Sequence, residues 1–246
     1  MGMATVFVLM GVLAVGATDG RDLLRELVGR CAGVSSFDAV IEQHIRYPGA
    51  PPEVFRGRYR ADAQGRFRID YTAPSVQRVL HTGAALYWYY PADNLLYRIG
   101  GGGGSAPAPG ARPADELMRR LDERGEVEYL GRRLYGIFTL AHRFVVRGDD
   151  PRVRIEVLVD SRRGVVLERR LLDERGREIV TEVFSDYDRT QGACYPRRID
   201  VHARGERGVV RSTTVYRDAR INIPLSPGLF APDFPPNARR RLYRDR

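Results

Sequence analysis

Residues 66–97, RFRIDYTAPSVQRVLHTGAALYWYYPADNLLY, constrain the fold more than any other part of the chain. Phe67, Ile69 and Tyr71 alternate with Arg66, Arg68 and Asp70, the two-residue period of a strand with one buried face. Thr72-Ala73-Pro74-Ser75, His81-Thr82-Gly83 and Pro91-Ala92-Asp93-Asn94 carry turn chemistry, which predicts further strands over 76–80, 84–90 and 95–99. Turns this close leave no room for a helix of ordinary length. The segment is therefore a meander, and its apolar face, which includes the chain's single Trp at position 88, needs a cover from elsewhere in the sequence.

Two stretches supply helical cover. In residues 22–32, Leu23, Leu24, Leu27, Val28 and Cys31 form one stripe, with Thr18 or Asp19 near the start and Gly33 just past the end. Residues 113–124 place Leu117, Met118 and Leu121 on a second stripe that begins at Pro113. Between the first helix and the meander, residues 34–47 read as a long strand with Phe37, Ala39, Ile41, Gln43 and Ile45 on one side. Pro48, Pro51 and Pro52 break it, and 54–63 is the next strand. Residues 100–113, GGGGGSAPAPGARP, hold no large apolar side chain and predict a mobile loop inside the same domain.

Beyond the second helix, strands are predicted over 134–146, 152–159, 165–173, 178–187, 195–203 and 209–217, with turn residues between them. The fold class is α+β: one curved antiparallel sheet or half-barrel of ten or eleven strands, with two helices, in a single domain over 18–246. A chain of 246 residues with 43% apolar content can fill such a core.

Charge narrows the function. The 40 cationic side chains outnumber the 31 acids, and every one of them is Arg. Without Lys, Schiff-base chemistry and a phosphate-loop lysine are excluded. The arginines alternate with Asp and Glu along most strands, as in 173–177, which describes a solvated mixed surface rather than a nucleic-acid tract. The four histidines (44, 81, 142 and 202) have no ligand spacing, CxxC and GxSxG are absent, and the glycine run lacks the flanks of a phosphate loop. The sequence offers no catalytic, cofactor or metal site. Leu86, Trp88 and Tyr90 share a face, either as ordinary sheet core or as the lining of a cavity; base stacking is the other use of such a cluster, but no RNA-binding consensus accompanies it.

Residues 6–17, VFVLMGVLAVGA, are too short for the ~20 residues of a membrane span, and Val15-Gly16-Ala17 suits signal cleavage. Export to the periplasm is the expectation. Cys31 and Cys194 fit either a disulfide in an oxidising compartment or two small buried residues.

Three segments together resemble the periplasmic outer-membrane lipoprotein carriers, the LolA and LolB superfamily. They are LLRELVGRCAGVSSFDAVIEQHI from residue 23, GRFRIDYTAP from residue 65 and VLHTGAALYWYYP from residue 79. The resemblance implies helices lying as a lid over an apolar cavity that holds the acyl chains of a lipoprotein or lipid. It places Phe37, Ile41, Phe67, Ile69, Tyr71, Val79, Leu86, Trp88, Leu95 and Tyr97 on the cavity wall, and Leu24, Leu27, Met118 and Leu121 on the lid. The implied protein is a monomeric, non-enzymatic carrier touching membranes transiently, with unidentified inner-membrane donor and outer-membrane acceptor. In the carriers an Arg-Pro pair latches the lid; here Ala63 and Gln64 stand in that place, leaving Arg60 and Arg66 as the nearest candidates. A regulatory or scaffold module that binds a protein partner on the same sheet is the alternative.

Overall fold

The computed structural model describes residues 19–99, 111–122, 126–148, 152–190, 192–205 and 207–243. The expected leader and nearly all of the glycine loop lie outside them. Helix α1, Gly20–Gly29, starts where the Asp19 carboxylate accepts the Arg21 backbone N–H at 3.0 Å, and it buries Leu24, Leu27 and Val28. Strands β1 (Ser36–Arg46), β2 (Glu53–Asp62), β3 (Phe67–Ala73), β4 (Gln77–His81), β5 (Leu86–Tyr90) and β6 (Leu95–Ile99) follow. After α2, Pro113–Asp122, come β7 (Glu126–Tyr135), β8 (Thr139–Arg147), β9 (Arg154–Asp160), β10 (Val166–Leu172), β11 (Glu178–Thr190), β12 (Ala193–Gly205), β13 (Gly208–Ile221) and β14 (Arg239–Tyr243).

All of these strands belong to one open sheet in the order β14-β6-β5-β4-β3-β2-β1-β13-β12-β11-β10-β9-β8-β7. It is two meanders joined at a seam, where β1 pairs antiparallel with β13 from Phe37↔Ile221 to Arg46↔Arg211. Every pairing is antiparallel except that of β14 with β6.

Among the described residues the sheet has fourteen strands where ten or eleven were expected, and the two with no counterpart among the ranges read from the sequence are β7 and β14. The strand expected over 134–146 is β8, while Leu134 and Tyr135 end the preceding strand β7 and the chain turns between the two at Gly136, Ile137 and Phe138, with Gly136 at φ 62°. Ile137 and Phe138 disguise that turn as strand interior. Strand β14 begins with Arg239, Arg240 and Arg241, a composition with no apolar alternation; its pairing to β6 comes from the path of the C-terminal segment rather than from local preference.

Both helices pack on one face of the sheet, in a continuous core with Phe37, Ile41, Tyr59, Phe67, Phe144, Val157 and Tyr216. The opposite, outer face carries a ladder of charge. Asp38 accepts from Arg58 at 2.6 and 2.8 Å and from Arg220 at 2.6 Å, and Asp70 pairs with Arg60, Arg68 and Arg78. Burial works to raise the Asp38 and Asp70 carboxyls, but the guanidinium hydrogen bonds outweigh it and hold both below the ordinary 3.8. The C-terminal segment closes over this face: Asp233 meets Arg78 at 3.0 Å, Phe230 lies under the Arg66 guanidinium, and Phe234 packs on Tyr87 and Tyr89. This explains why Tyr89 and Leu96 are buried although they point away from the helices.

Candidate functional site: the helix-covered face of the sheet

Strand register decides which side chains share the helix face. One row runs Phe37↔Ala61, Ala61↔Phe67, Phe67↔His81 and His81↔Leu86. The next runs Ala39↔Tyr59, Tyr59↔Ile69, Ile69↔Val79, Val79↔Trp88 and Trp88↔Tyr97. A third begins Ile41↔Gly57 and Gly57↔Tyr71, and Leu95 lies opposite Tyr90. By the two-residue alternation of strands, all ten wall residues named from the sequence lie on this one face.

Their cover is uneven. Phe37, Ile41, Phe67, Ile69, Tyr71 and Val79 are buried in the same cluster as Leu24, Leu27, Leu117 and Leu121. Met118, Leu86 and Trp88 are half-buried against that cluster, and Leu95 and Tyr97 are half-buried at its end. The helices thus seal the face over β1–β3 and thin out toward β5 and β6.

At the thinly covered end the side chains form an aromatic corner. Trp88 and Tyr90 are two apart on β5 and stack with centroids 5.7 Å apart and planes 11° apart, while Tyr97 meets Tyr90 nearly at right angles, 6.0 Å away. The Trp88 indole donates to Gln77 Oε1 at 3.0 Å, and the Tyr71 hydroxyl donates to Gln43 Oε1 at 3.0 Å. Burial pushes Tyr71 up to about 12 and also raises Tyr90. The corner is uncharged: apolar rings with two amides holding their polar edges.

Sequence reasoning did not find what ties α2 to the sheet. Arg169, on β10, is 6% exposed and sits directly across from Glu182 of β11. Its guanidinium bonds Glu182 at 2.5 Å and reaches Glu116 of α2 at 2.8 Å, above the Phe184 ring. Burial opposes the Arg169 charge, but the two carboxylates outweigh it and keep the side chain firmly protonated. This ion triad joins α2 to the sheet inside an otherwise apolar layer. The available signal was Glu182, which shares strand parity with Val180 and Phe184, a carboxylate at an apolar position.

Arg60 and Arg66, the arginines nearest the missing Arg-Pro pair, do not perform this task. Arg60 bonds Asp70 on the outer face and Arg66 bonds Asp62. The helices have three further ties. Arg21 of α1 donates to the Leu121 carbonyl of α2, Gly33 N–H donates to Asp115 at 2.7 Å, and Arg112 donates to the Val34 carbonyl at 3.1 Å. Burial raises the Asp115 carboxyl. A disulfide joins Cys31, just past α1, to Cys194 of β12, fixing that end of α1 to the sheet. The first helix is thus attached to the sheet covalently and the second through ions.

The scattered histidines take up separate positions: His81 stacks on Phe67, His142 on Phe144, and His44 bonds Glu42. Among the described residues no group of three or more His, Cys, Asp or Glu side chains could hold a metal ion. No helix among them is long and apolar enough to cross a membrane.

No family model and no curated protein matches the sequence. Solved structures do match the fold. A DUF1329 family protein from Desulfovibrio piger aligns with a TM-score of 0.68 and 15% identity, over 87% of this chain and 98% of that one. A LolA superfamily protein from Nitrosomonas europaea aligns at 0.64 and 16% identity, over 89% and 100%. A domain described as outer membrane lipoprotein-sorting, from Vibrio parahaemolyticus, aligns at 0.64 and 16% identity, over 86% and 95%. The chain has the LolA-like fold: one large, mostly antiparallel sheet with two short helices.

Proposed function

We propose that the helix face binds the acyl chain of a lipid or lipidated protein and carries it through an aqueous compartment outside the inner membrane, with no catalytic step. The observation that carries this reading is the uneven cover. A single apolar face runs from full burial under α2 to the half-exposed corner of Leu86, Trp88, Tyr90, Leu95 and Tyr97. An apolar chain entering at the corner extends along a surface already made for α2, whose Leu117 and Leu121 it would displace.

The energetics define what such a protein must do. Each acyl CH₂ moved out of water is worth ~0.8 kcal/mol, so one long chain is held in a membrane by roughly 10 kcal/mol. A carrier has to offer a comparable surface and also release it. Releasing requires a cover that can come away from the sheet, and α2, besides packing Leu117 and Leu121, is held by the discrete ties Glu116–Arg169, Asp115–Gly33 and Leu121–Arg21. The likeness to LolA superfamily and lipoprotein-sorting structures supports the fold on which this reading rests.

The test is to purify the protein from the periplasm and analyse an organic extract by mass spectrometry. Co-purifying acyl lipid or lipopeptide, lost on replacing Trp88 and Tyr97 by Asp, is the expected result. Protein that is free of lipid at every stage of purification would overturn the proposal.

A further inference from the structure

The tip of the β7–β8 hairpin is the most exposed apolar feature among the described residues. Phe138 is 93% exposed, Ile137 79% and Leu134 68%, and Leu140, paired across from Leu134, is 42% exposed. The exposure is built in by the local fold. Gly136 turns the chain, Tyr135 anchors the base of the turn against the small cluster around the disulfide, and Ile137 and Phe138 are left at the apex. The hairpin also lies at the sheet's outer edge, since β7 is the last strand. Four large apolar side chains projecting together cost solubility unless something covers them.

The surroundings of the tip are positive. Arg132 is exposed on β7, and Arg162 and Arg163 are exposed in the turn after β9, whose Ser161 N–H bonds the Leu140 carbonyl at 2.9 Å. Arg30 joins the same group by donating to the Ser161 carbonyl at 3.2 Å. The nearby acids are already engaged. Asp160 accepts from the Arg162 and Arg163 backbone N–H groups, Glu26 pairs with Arg30, and Glu168 pairs with Arg170. Arg132, Arg162 and Arg163 make no ion pair among the described residues.

From this arrangement we infer that the β7–β8 tip is a membrane-contact element that inserts Ile137 and Phe138 into an anionic bilayer surface while the arginines bind lipid phosphates. A narrow convex apex flanked by cations suits the boundary between headgroups and acyl chains, where apolar side chains are buried and guanidiniums meet phosphate oxygens. A bilayer surface is favoured over a protein partner by the chemistry, because the exposed apolar side chains stand beside three exposed arginines that make no ion pair among the described residues. Each arginine near an anionic surface contributes roughly fivefold to affinity, and this part is screened by salt. Contact through a tip this small is weak and reversible, as a protein that visits membranes requires. The inference is independent of what the helix face binds, because the tip lies on the opposite meander from the aromatic corner.

The experiment is flotation of the full chain with vesicles of phosphatidylcholine, with and without phosphatidylglycerol. The expected result is binding to the phosphatidylglycerol vesicles that falls about tenfold in the Ile137→Ser/Phe138→Ser variant and falls with added salt. Arg162→Glu/Arg163→Glu is expected to lose most of the binding while keeping the parent's thermal unfolding. A Trp88→Phe/Phe138→Trp protein should show a blue-shifted emission on vesicles and quenching by bromine placed shallowly in the acyl chains. The inference is overturned if the parent floats with neither vesicle, if the Ser variant floats as the parent does, or if the Ser variant converts a parent dimer into a monomer, which would make the tip a self-association surface. Extraction of the Ser variant for lipid separates the two proposals: it should retain whatever cargo the parent carries.

Discussion

Replacing Arg169 by Met tests whether the lid is held as described. The substitution removes the cation that Glu116 and Glu182 share and leaves the buried Glu182 facing Glu116 without it. Breaking a buried ion pair by removing one partner costs about 3–5 kcal/mol, because the orphaned charge keeps its desolvation penalty. With a urea m-value of about 3 kcal/mol/M, the unfolding midpoint should fall by about 1 to 1.7 M. The triple variant Glu116→Leu/Arg169→Met/Glu182→Met removes all three charges, and it should recover to within about 1 kcal/mol of the parent or exceed it. Glu116→Gln tests the lid locally: amide exchange in α2 should accelerate while protection in β1–β3 is unchanged. If Arg169→Met unfolds within about 0.5 kcal/mol of the parent, below the range for a broken buried pair, the triad does not fix α2 to the sheet and the reasoning fails.

Acid should weaken the fold. Asp38, Asp70 and Asp200 have folded values below the ordinary 3.8, so their contribution is complete above the unfolded value and is lost as pH falls through the folded ones. Asp115, raised by burial, works in the opposite sense and is outnumbered. The urea midpoint is expected to hold steady at neutral pH and to drop below about pH 4; a midpoint that rises there would contradict the outer-face ladder. Gly164→Ala should destabilise by about 2 kcal/mol or more, since the residue has φ 69° and an added Cβ would lie 2.2 Å from the Leu27 carbonyl of α1; chemical denaturation reads this. Tyr216→Phe removes a fully buried hydroxyl with no hydrogen-bond partner among the described residues and should leave Tm unchanged or raised, so a loss above about 2 kcal/mol would reveal a partner for it.

The meander was legible because each of its strands is short, bounded by turn residues and alternating, so that parity grouped Phe67 with Ile69 and Tyr71, and Leu86 with Trp88 and Tyr90; that Val79, Trp88 and Tyr97 stand on the face of Ile69 was implied only by the family resemblance, because register between strands is set by pairing and not by local pattern. The two helices were legible from their stripes. What could not be read is what depends on distant partners. Arg169 looks like any surface arginine until β11 and α2 bring Glu182 and Glu116 to it from either side. Tyr89 and Leu96 break the simple rule of one buried face because the C-terminal segment covers the other. The β7–β8 turn was missed because Ile137 and Phe138 stand where a polar turn would be expected, and the same departure makes the tip a candidate for membrane contact. The pairing of Cys31 with Cys194 was open in the sequence; the adjacency of the α1 end to β12 closes it.

Trp88 is the chain's single tryptophan and stands in the aromatic corner, so its fluorescence reports directly on the proposed site. The most direct measurement is titration with a lysophospholipid brominated on its acyl chain, kept monomeric. Saturable quenching of Trp88, reversed by an excess of the unbrominated lipid, is the expected result. Emission that stays unquenched until the lipid forms micelles would contradict the claim that the helix face receives an acyl chain.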